Sequence, residues 1–334
     1  MQDSGAMPAK PHLLSMGEMM PIAEQALLAG FEVHSTRHNS LGQIVARYGR
    51  LIRAIATRGR ERVDASLIAA LPLLETIASF AVGYDSIDLE ATRQRGIIVT
   101  NTPDVLNDEV ADYTVGLLLA TLRRIPQGDR FVRSGTWHIE PFPLTASLRD
   151  RTIGFAGMGR IAGATVHRLR AFGVRIAYSC RTPRPDLELD YYPTLTGLAA
   201  VVDVLIVLLP GGAATDRLIN AEVLAALGAR GILINVARGS VVDQHALIKA
   251  LRGGVIAGAG LDVFADEPQV PQALLELDNV VLMPHAATGT GYTRGLMIDL
   301  AVRNLQSWFA GRGPITPVAE TPWQGPSHRK MEIR

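Results

Sequence analysis

One cysteine, Cys180, stands in 334 residues, so the chain can build neither an intrachain disulfide nor a thiolate-rich zinc site. That scarcity points to a reducing compartment, with the cytoplasm expected. Charge of one sign is also missing: 33 Lys and Arg face 32 Asp and Glu, for a net charge of +1. So even a balance excludes the basic footprint of a nucleic-acid binder and, at 48% apolar residues, the composition of a disordered chain. Long apolar runs are absent. The most apolar stretch, Val201–Pro210, is broken by Asp203 and falls well short of the ~18 residues that suggest a membrane span. Met1–Lys10 lacks the basic start and apolar run of a signal peptide, so none is expected. What the chain does have is length. At roughly 150 residues per domain it predicts about two domains, each able to bury a core.

Short β-rich runs alternate with longer helical patterns, which predicts parallel strands joined by helical crossovers and an α/β class. Before residue 104, the segments 51–56, 75–78 and 97–100 read as strands, and 21–29, 64–71 and 88–95 as helices. Asp108–Leu122 carries a broad apolar face and no proline, and reads as a long, largely buried helix able to bridge two domains. Gly128–Asp150, with Trp137, Pro141 and Pro143, has neither helical nor alternating periodicity and is expected to be a loop crossing between units. A second βαβ series follows, with strands at 152–156, 175–179, 204–208, 231–236, 258–263 and 280–283, and predicts a doubly wound sheet. A helix over about 292–310 precedes a Pro/Gly-containing tail that need not be ordered.

Within that series, Thr152–Ala156 leads into Gly157-Met-Gly159-Arg160-Ile161-Ala162 and then a helical apolar pattern. A three-glycine fingerprint arises by chance about 0.3 times in a chain this rich in glycine, so the motif counts only in its context. Here a strand precedes it and a helix follows. Gly157 permits the tight turn, Gly159 admits a pyrophosphate against backbone, and Ala162 keeps the helix close, while the helix N-terminus receives phosphate charge. A dinucleotide is the expected cofactor. The next strand ends Ser179-Cys180-Arg181-Thr182-Pro183-Arg184, without the acid that binds the ribose hydroxyls of NAD. Arg181 and Thr182, assisted by Arg184, suit a 2′-phosphate, so NADP(H) is preferred and NAD(H) possible. Cys180 has no visible histidine partner and reads as a bystander.

Ligands of open α/β sheets bind beyond the carboxyl ends of the strands. Three consecutive strand ends carry chemistry there: Arg238 after Ile232–Val236, Asp262 and Glu267 after Ala259–Leu261, and His285 after Val281–Met283. Any one of them is an ordinary surface cation, turn acid or packed imidazole. Arriving together after a dinucleotide turn, they outline a reaction site. The combination resembles the D-isomer-specific 2-hydroxyacid dehydrogenase family, most nearly its NADP-dependent glyoxylate/hydroxypyruvate reductases. The motifs that carry it are Ala81-Val82-Gly83-Tyr-Asp-Ser-Ile-Asp88, the glycine turn, Asn235-Val-Ala-Arg-Gly-Ser-Val-Val-Asp243, Gly260-Leu-Asp-Val-Phe-Ala-Asp-Glu-Pro268 and Pro284-His285.

The resemblance implies a Rossmann-type doubly wound domain at 104–290 inserted into a smaller flavodoxin-like α/β substrate domain at 9–103 and 291–315, with a tail at 316–334. It also implies a homodimer formed largely through the cofactor domains. By position, Arg238 matches the arginine that binds the substrate carboxylate and polarises its 2-oxo group. His285 matches the acid/base, Glu267 its carboxylate partner, and Val82 and Gly83 the backbone donors to the substrate carboxylate. Asp262 matches the residue holding the nicotinamide amide. Gly157, Gly159, Arg160, Ile161, Arg181, Thr182, Leu209, Pro210, Thr215, Ala237, Arg238, Asp262 and His285 make up the expected cofactor set, and no metal is implied. Hydride addition to a ketone creates alkoxide charge, which calls for a proton donor and a fixed cation. The implied activity is NADPH-dependent reduction of a small 2-oxo acid, glyoxylate or hydroxypyruvate, to the D-2-hydroxy acid. Alternatives are a phenylpyruvate-type reductase, a phosphoglycerate dehydrogenase, or a noncatalytic NAD(P)-sensing protein of corepressor type. Two positions depart from the family pattern: Ala162 replaces the third glycine, and Ala287 stands where a glycine commonly follows the histidine. Trp137 either resembles an aromatic that reaches a partner subunit's site or is an ordinary interface or core anchor, and Arg58 faces either substrate or solvent.

Overall fold

Leu13 and Leu14 are fully buried although they sit in a strand of only four residues. The computed structural model describes residues 9–323 and 325; the start of the segment read for a signal peptide and most of the expected tail lie outside them. The N-terminal elements are β1 (His12–Ser15), α1 (Pro21–Gly30), β2 (Glu32–Ser35), α2 (Leu41–Tyr48), β3 (Ile52–Thr57), α3 (Ala65–Ala70), β4 (Thr76–Ser79), α4 (Leu89–Gln94) and β5 (Ile98–Thr100). There follow α5 (Asn107–Leu122), α6 (Ile125–Arg133), β6 (Thr152–Ala156), α7 (Arg160–Leu169), β7 (Arg175–Ser179), β8 (Asp190–Tyr191) and α8 (Leu195–Ala199). The last set is β9 (Val204–Val207), α9 (Ala221–Leu227), β10 (Ile232–Asn235), α10 (Gln244–Arg252), β11 (Gly258–Leu261), α11 (Gln272–Leu275), β12 (Val280–Leu282) and α12 (Gly291–Phe309). The chain folds into two units, one made of residues through Val105 together with those from Gly291 onward, the other of Leu106–Thr290.

In the first unit five parallel strands lie in the order β2-β1-β3-β4-β5, the flavodoxin-like arrangement. Helix α12 packs Ile298, Ala301, Val302 and Leu305 with Leu27 of α1 and Ala54, Ala56 and Ala78 of the sheet. The start of the expected tail is built into this unit: Val318 N–H donates to Val99 O at 2.9 Å, and the Thr316 hydroxyl donates to Asn101 O at 2.6 Å.

The second unit holds seven parallel strands in the order β12-β11-β10-β9-β6-β7-β8, with the winding reversing between β6 and β9. Strands β6 and β9 are buried along their whole length, as expected of parallel strands covered on both faces. Each large apolar side chain so buried contributes about 1.5–3 kcal/mol. The segment expected as an inter-unit loop lies wholly inside this unit, and its first part is helical, forming α6 and a short 3-10 turn at Thr136–His138. Pro126 suits the first turn of α6, where an N–H would find no partner anyway. The buried Gln127 amide then ties the helix down by donating to Asp278 O at 2.8 Å and Val280 O at 3.1 Å. A tertiary hydrogen bond thus supplies what the local sequence pattern lacks.

Candidate active site

At the end of β6, Gly157 takes φ 97° and its N–H donates to Ser179 O at 2.8 Å. A Cβ there would stand 2.8 Å from Leu208 O, so the turn requires glycine. Gly159 is the N-cap of α7 and offers no side-chain cap, leaving the helix's first N–H groups for a ligand. The space beside Gly159 is open, whereas Ala162 is fully buried and its methyl fits the close approach of the helix. The turn therefore fits a pyrophosphate. Arg160 is exposed and Ile161 half-buried at its rim.

Beyond β7, Arg181 and Thr182 are exposed on the loop, and Cys180 Sγ lies 2.9 Å from Thr182 O. Arg184, expected to assist them, is engaged within the chain. Its guanidinium is held by Asp186 through bonds of 3.0 and 2.8 Å, and its N–H donates to the Tyr178 hydroxyl at 2.7 Å. After β9, Leu209 and Pro210 begin a loop that Thr215 closes, with its hydroxyl 2.6 Å from Pro210 O.

The ends of β10, β11 and β12 converge because these strands are adjacent in the sheet. Asn235, buried, clamps the turn after β10: its amide donates to Arg238 O at 3.0 Å and its Oδ1 accepts from Ala237 N–H at 3.1 Å. Gly239 lets that turn pass so near the next one that a Cβ would fall 1.9 Å from the Phe264 carbonyl. Glu267 accepts from Phe264 N–H at 3.1 Å through Oε1, which aims Oε2 at His285 Nδ1, 2.8 Å away. That contact leaves Nε2 as the ring nitrogen able to meet a reacting oxygen.

His285 has φ 55°, a left-handed conformation uncommon for a residue with a side chain. Asp262 holds it there. This carboxylate, fully buried, accepts from Ala286 N–H at 2.7 Å and Ala287 N–H at 3.1 Å, the two donors that follow the histidine. A third bond comes from the Tyr113 hydroxyl on α5, at 2.8 Å. Burial, then the bond to the carboxylate, pushes the Tyr113 phenol well above its usual range.

Residues 115–287, about half the chain, match the family model described as D-isomer specific 2-hydroxyacid dehydrogenase, NAD binding domain. The chain belongs to that family. It is 48% identical over 267 residues, 80% of this chain and 85% of its relative, to a glyoxylate/hydroxypyruvate reductase A of Arabidopsis thaliana. Over the same shares it is 46% identical to a hydroxyphenylpyruvate reductase of Plectranthus scutellarioides. Among solved structures, it resembles the NADPH-dependent glyoxylate/hydroxypyruvate reductase of Sinorhizobium meliloti in complex with NADP and malonate, at 48% identity and a TM-score of 0.88, covering 94% of this chain and 98% of that one.

In this 2-hydroxyacid dehydrogenase, Val82 and Gly83 lie in the first unit, after β4. Their carbonyls are tied, Val82 O by the Asn101 amide at 2.8 Å and Gly83 O by the Ser79 hydroxyl at 3.0 Å. Their N–H groups have no partner among the described residues. Reasoning from sequence missed Tyr113 and the side-chain role of Asn235. Asn235 was legible as a polar residue ending an apolar strand, whereas Tyr113 lies 149 positions from Asp262 and carried no local signal.

Proposed function

We propose that the chain reduces a small 2-oxo acid, glyoxylate or hydroxypyruvate, to the D-2-hydroxy acid with NADPH. The observation that carries the reading is the His285–Glu267 pair at 2.8 Å, set on a loop that Asp262 holds beside the Arg238 turn. The bound nicotinamide supplies the hydride. Arg238 holds the substrate carboxylate and polarises the 2-oxo group, and Val82 and Gly83 N–H groups share that carboxylate. His285 gives its Nε2 proton to the oxygen as alkoxide charge develops, and Glu267 fixes the ring through Nδ1. NADP is supported by the S. meliloti relative and by the exposed Arg181 and Thr182, which stand where an NAD enzyme carries an acid. Asp262 has three acceptor positions filled by the chain's own donors, so a nicotinamide amide would use the remaining lone pair on Oδ2.

Val132, Trp137, Ile139 and Leu144 are large apolar side chains left exposed within one segment of the cofactor unit, which supports a homodimer through that unit. Among the described residues no helix is long and apolar enough to cross a membrane, and a cytoplasmic location fits the single cysteine. Mixing the protein with NADPH and each of glyoxylate, hydroxypyruvate and hydroxyphenylpyruvate tests the reading. Loss of NADPH absorbance with the first two is expected. A preference for the aromatic acid would favour the activity named for the Plectranthus relative, and no turnover with any would favour a nucleotide-sensing protein.

A further inference from the structure

Each backbone donor that meets the substrate carboxylate in the function proposed above shares a rigid plane with a carbonyl. The Ala81–Val82 and Val82–Gly83 peptides are trans, so Val82 N–H points opposite to Ala81 O, and Gly83 N–H opposite to Val82 O. Whatever holds those two oxygens therefore aims the two donors. Ala81 O accepts from Thr102 N–H at 3.1 Å, and Val82 O accepts from the Asn101 side-chain amide at 2.8 Å. Both grips come from adjacent residues just beyond β5, while the N–H groups they aim have no partner among the described residues. Val82 and Gly83 are only half-buried, so water would satisfy the Val82 carbonyl if the amide were removed. The amide supplies direction rather than solvation.

Asn101 is itself held by a segment 215 positions away. Its N–H donates to Thr316 O at 3.3 Å, and its carbonyl accepts from the Thr316 hydroxyl at 2.6 Å. That hydroxyl accepts from the Asn304 amide at 2.8 Å, and Asn304 Oδ1 accepts from the N–H groups of Ile315 and Thr316 at 2.9 Å each. Asn304 is buried on α12. A continuous run of bonds thus joins α12 to the Val82 carbonyl within one unit.

We propose that Asn101 is a positioning residue that aims Gly83 N–H at the substrate carboxylate, with Thr316 and Asn304 fixing its backbone. This rests on the 2-oxo acid reading. A donor that must turn toward the anion at each encounter gives up part of its binding free energy, and a donor already aimed does not. Asn101→Ala should raise KM for glyoxylate and hydroxypyruvate about tenfold, the scale of one hydrogen bond to a charged group. Its kcat and its KM for NADPH should stay within about twofold, as when carboxylate binding is lost equally from ground and transition states. Asn101→Asp keeps the side chain's shape but sets a carboxylate where the donor was, and should raise KM further.

The matched control is Ser79, whose hydroxyl donates to Gly83 O at 3.0 Å. That carbonyl lies in the same turn, but its plane carries Tyr84 N–H rather than either donor. Ser79→Ala should therefore leave KM for both acids within about twofold. Equal rises in the Ser79 and Asn101 variants would overturn the proposal, because any loosening of the turn would then suffice. So would an unchanged KM in both Asn101 variants.

Malonate, held by the S. meliloti relative, gives a readout without turnover. In calorimetry on the NADP-loaded protein, its affinity should fall about tenfold in Asn101→Ala and stay within about twofold in Ser79→Ala. Equal affinities in the two variants would overturn the aiming role. If no 2-oxo acid is reduced, the proposed function fails while malonate still reports on the turn; an inactive wild type that also binds no malonate would overturn both.

Discussion

Replacing Tyr113 by Phe removes one hydroxyl from the buried carboxylate of Asp262 and changes little else. The bond lost is 2.8 Å long and joins a neutral donor to an ionised acceptor, a type that contributes about 1.5–3 kcal/mol. Asp262 Oδ1 would keep Ala286 N–H at 2.7 Å, and Oδ2 would keep Ala287 N–H at 3.1 Å, so the turn at His285 should survive. Tyr113→Phe should therefore lower stability by about 1.5–2.5 kcal/mol. It should lower kcat several-fold through looser placement of the imidazole, with the KM for NADPH unchanged. Asp262→Asn should cost more, about 3 kcal/mol, because its NH₂ group meets an N–H or hydroxyl donor in a site closed to water. The decisive assay is the double-mutant cycle, read by urea unfolding of the four proteins. The double variant should be more stable than the sum of the single losses implies, by about 1 kcal/mol or more, since the contact can be lost only once. Additivity within about 0.4 kcal/mol would show that Tyr113 acts on something other than Asp262.

Arg181→Asp should weaken NADPH by about a hundredfold and NADH little, measured by cofactor titration, because the substituted acid repels the 2′-phosphate; equal losses would remove Arg181 from cofactor selection. His285→Gln should keep cofactor affinity while losing at least a hundredfold in kcat, and near-normal turnover would exclude it from proton transfer. Stability should also depend on pH through His34, which is buried under Tyr48 and bonded to His12 at 2.8 Å. Burial first, then the charge of His12, lowers its folded pKa below the ordinary 6.5, with Glu32 opposing. The unfolded chain then binds more protons below pH 6.5, so stability is full above that value and falls as pH drops through it toward the folded pKa. Urea midpoints at about pH 7.5 and 5.5 should show this loss, and His34→Gln should flatten it.

Much of the cofactor unit was legible because its strands are apolar throughout and its turns are punctuated by glycine. Strands β6 and β9 announce themselves as short buried runs, and the glycine turn between β6 and α7 has a backbone requirement that only certain residues meet. The strands β1 and β2, His12–Ser15 and Glu32–Ser35, were not legible. Four residues containing His, Glu and Ser carry no period, and they become strands by pairing beside β3. Helix α6 was missed for a similar reason, since the contacts of Gln127 lie some 150 residues away.

The same division runs through the site. Arg238, Glu267 and His285 could be named from the sequence because the carboxyl ends of parallel strands are where such a sheet presents its chemistry. Which partner each takes was a matter for three dimensions. The expected partner of Asp262 is the nicotinamide amide, and packing of α5 against β11 adds three that the sequence does not show, the Tyr113 hydroxyl and the two N–H groups after His285. A strand's hydrophobicity and a turn's glycine are local demands that a sequence displays directly. The partner of a buried charge is chosen by whichever distant donor folding carries to it, and only the tertiary structure decides that.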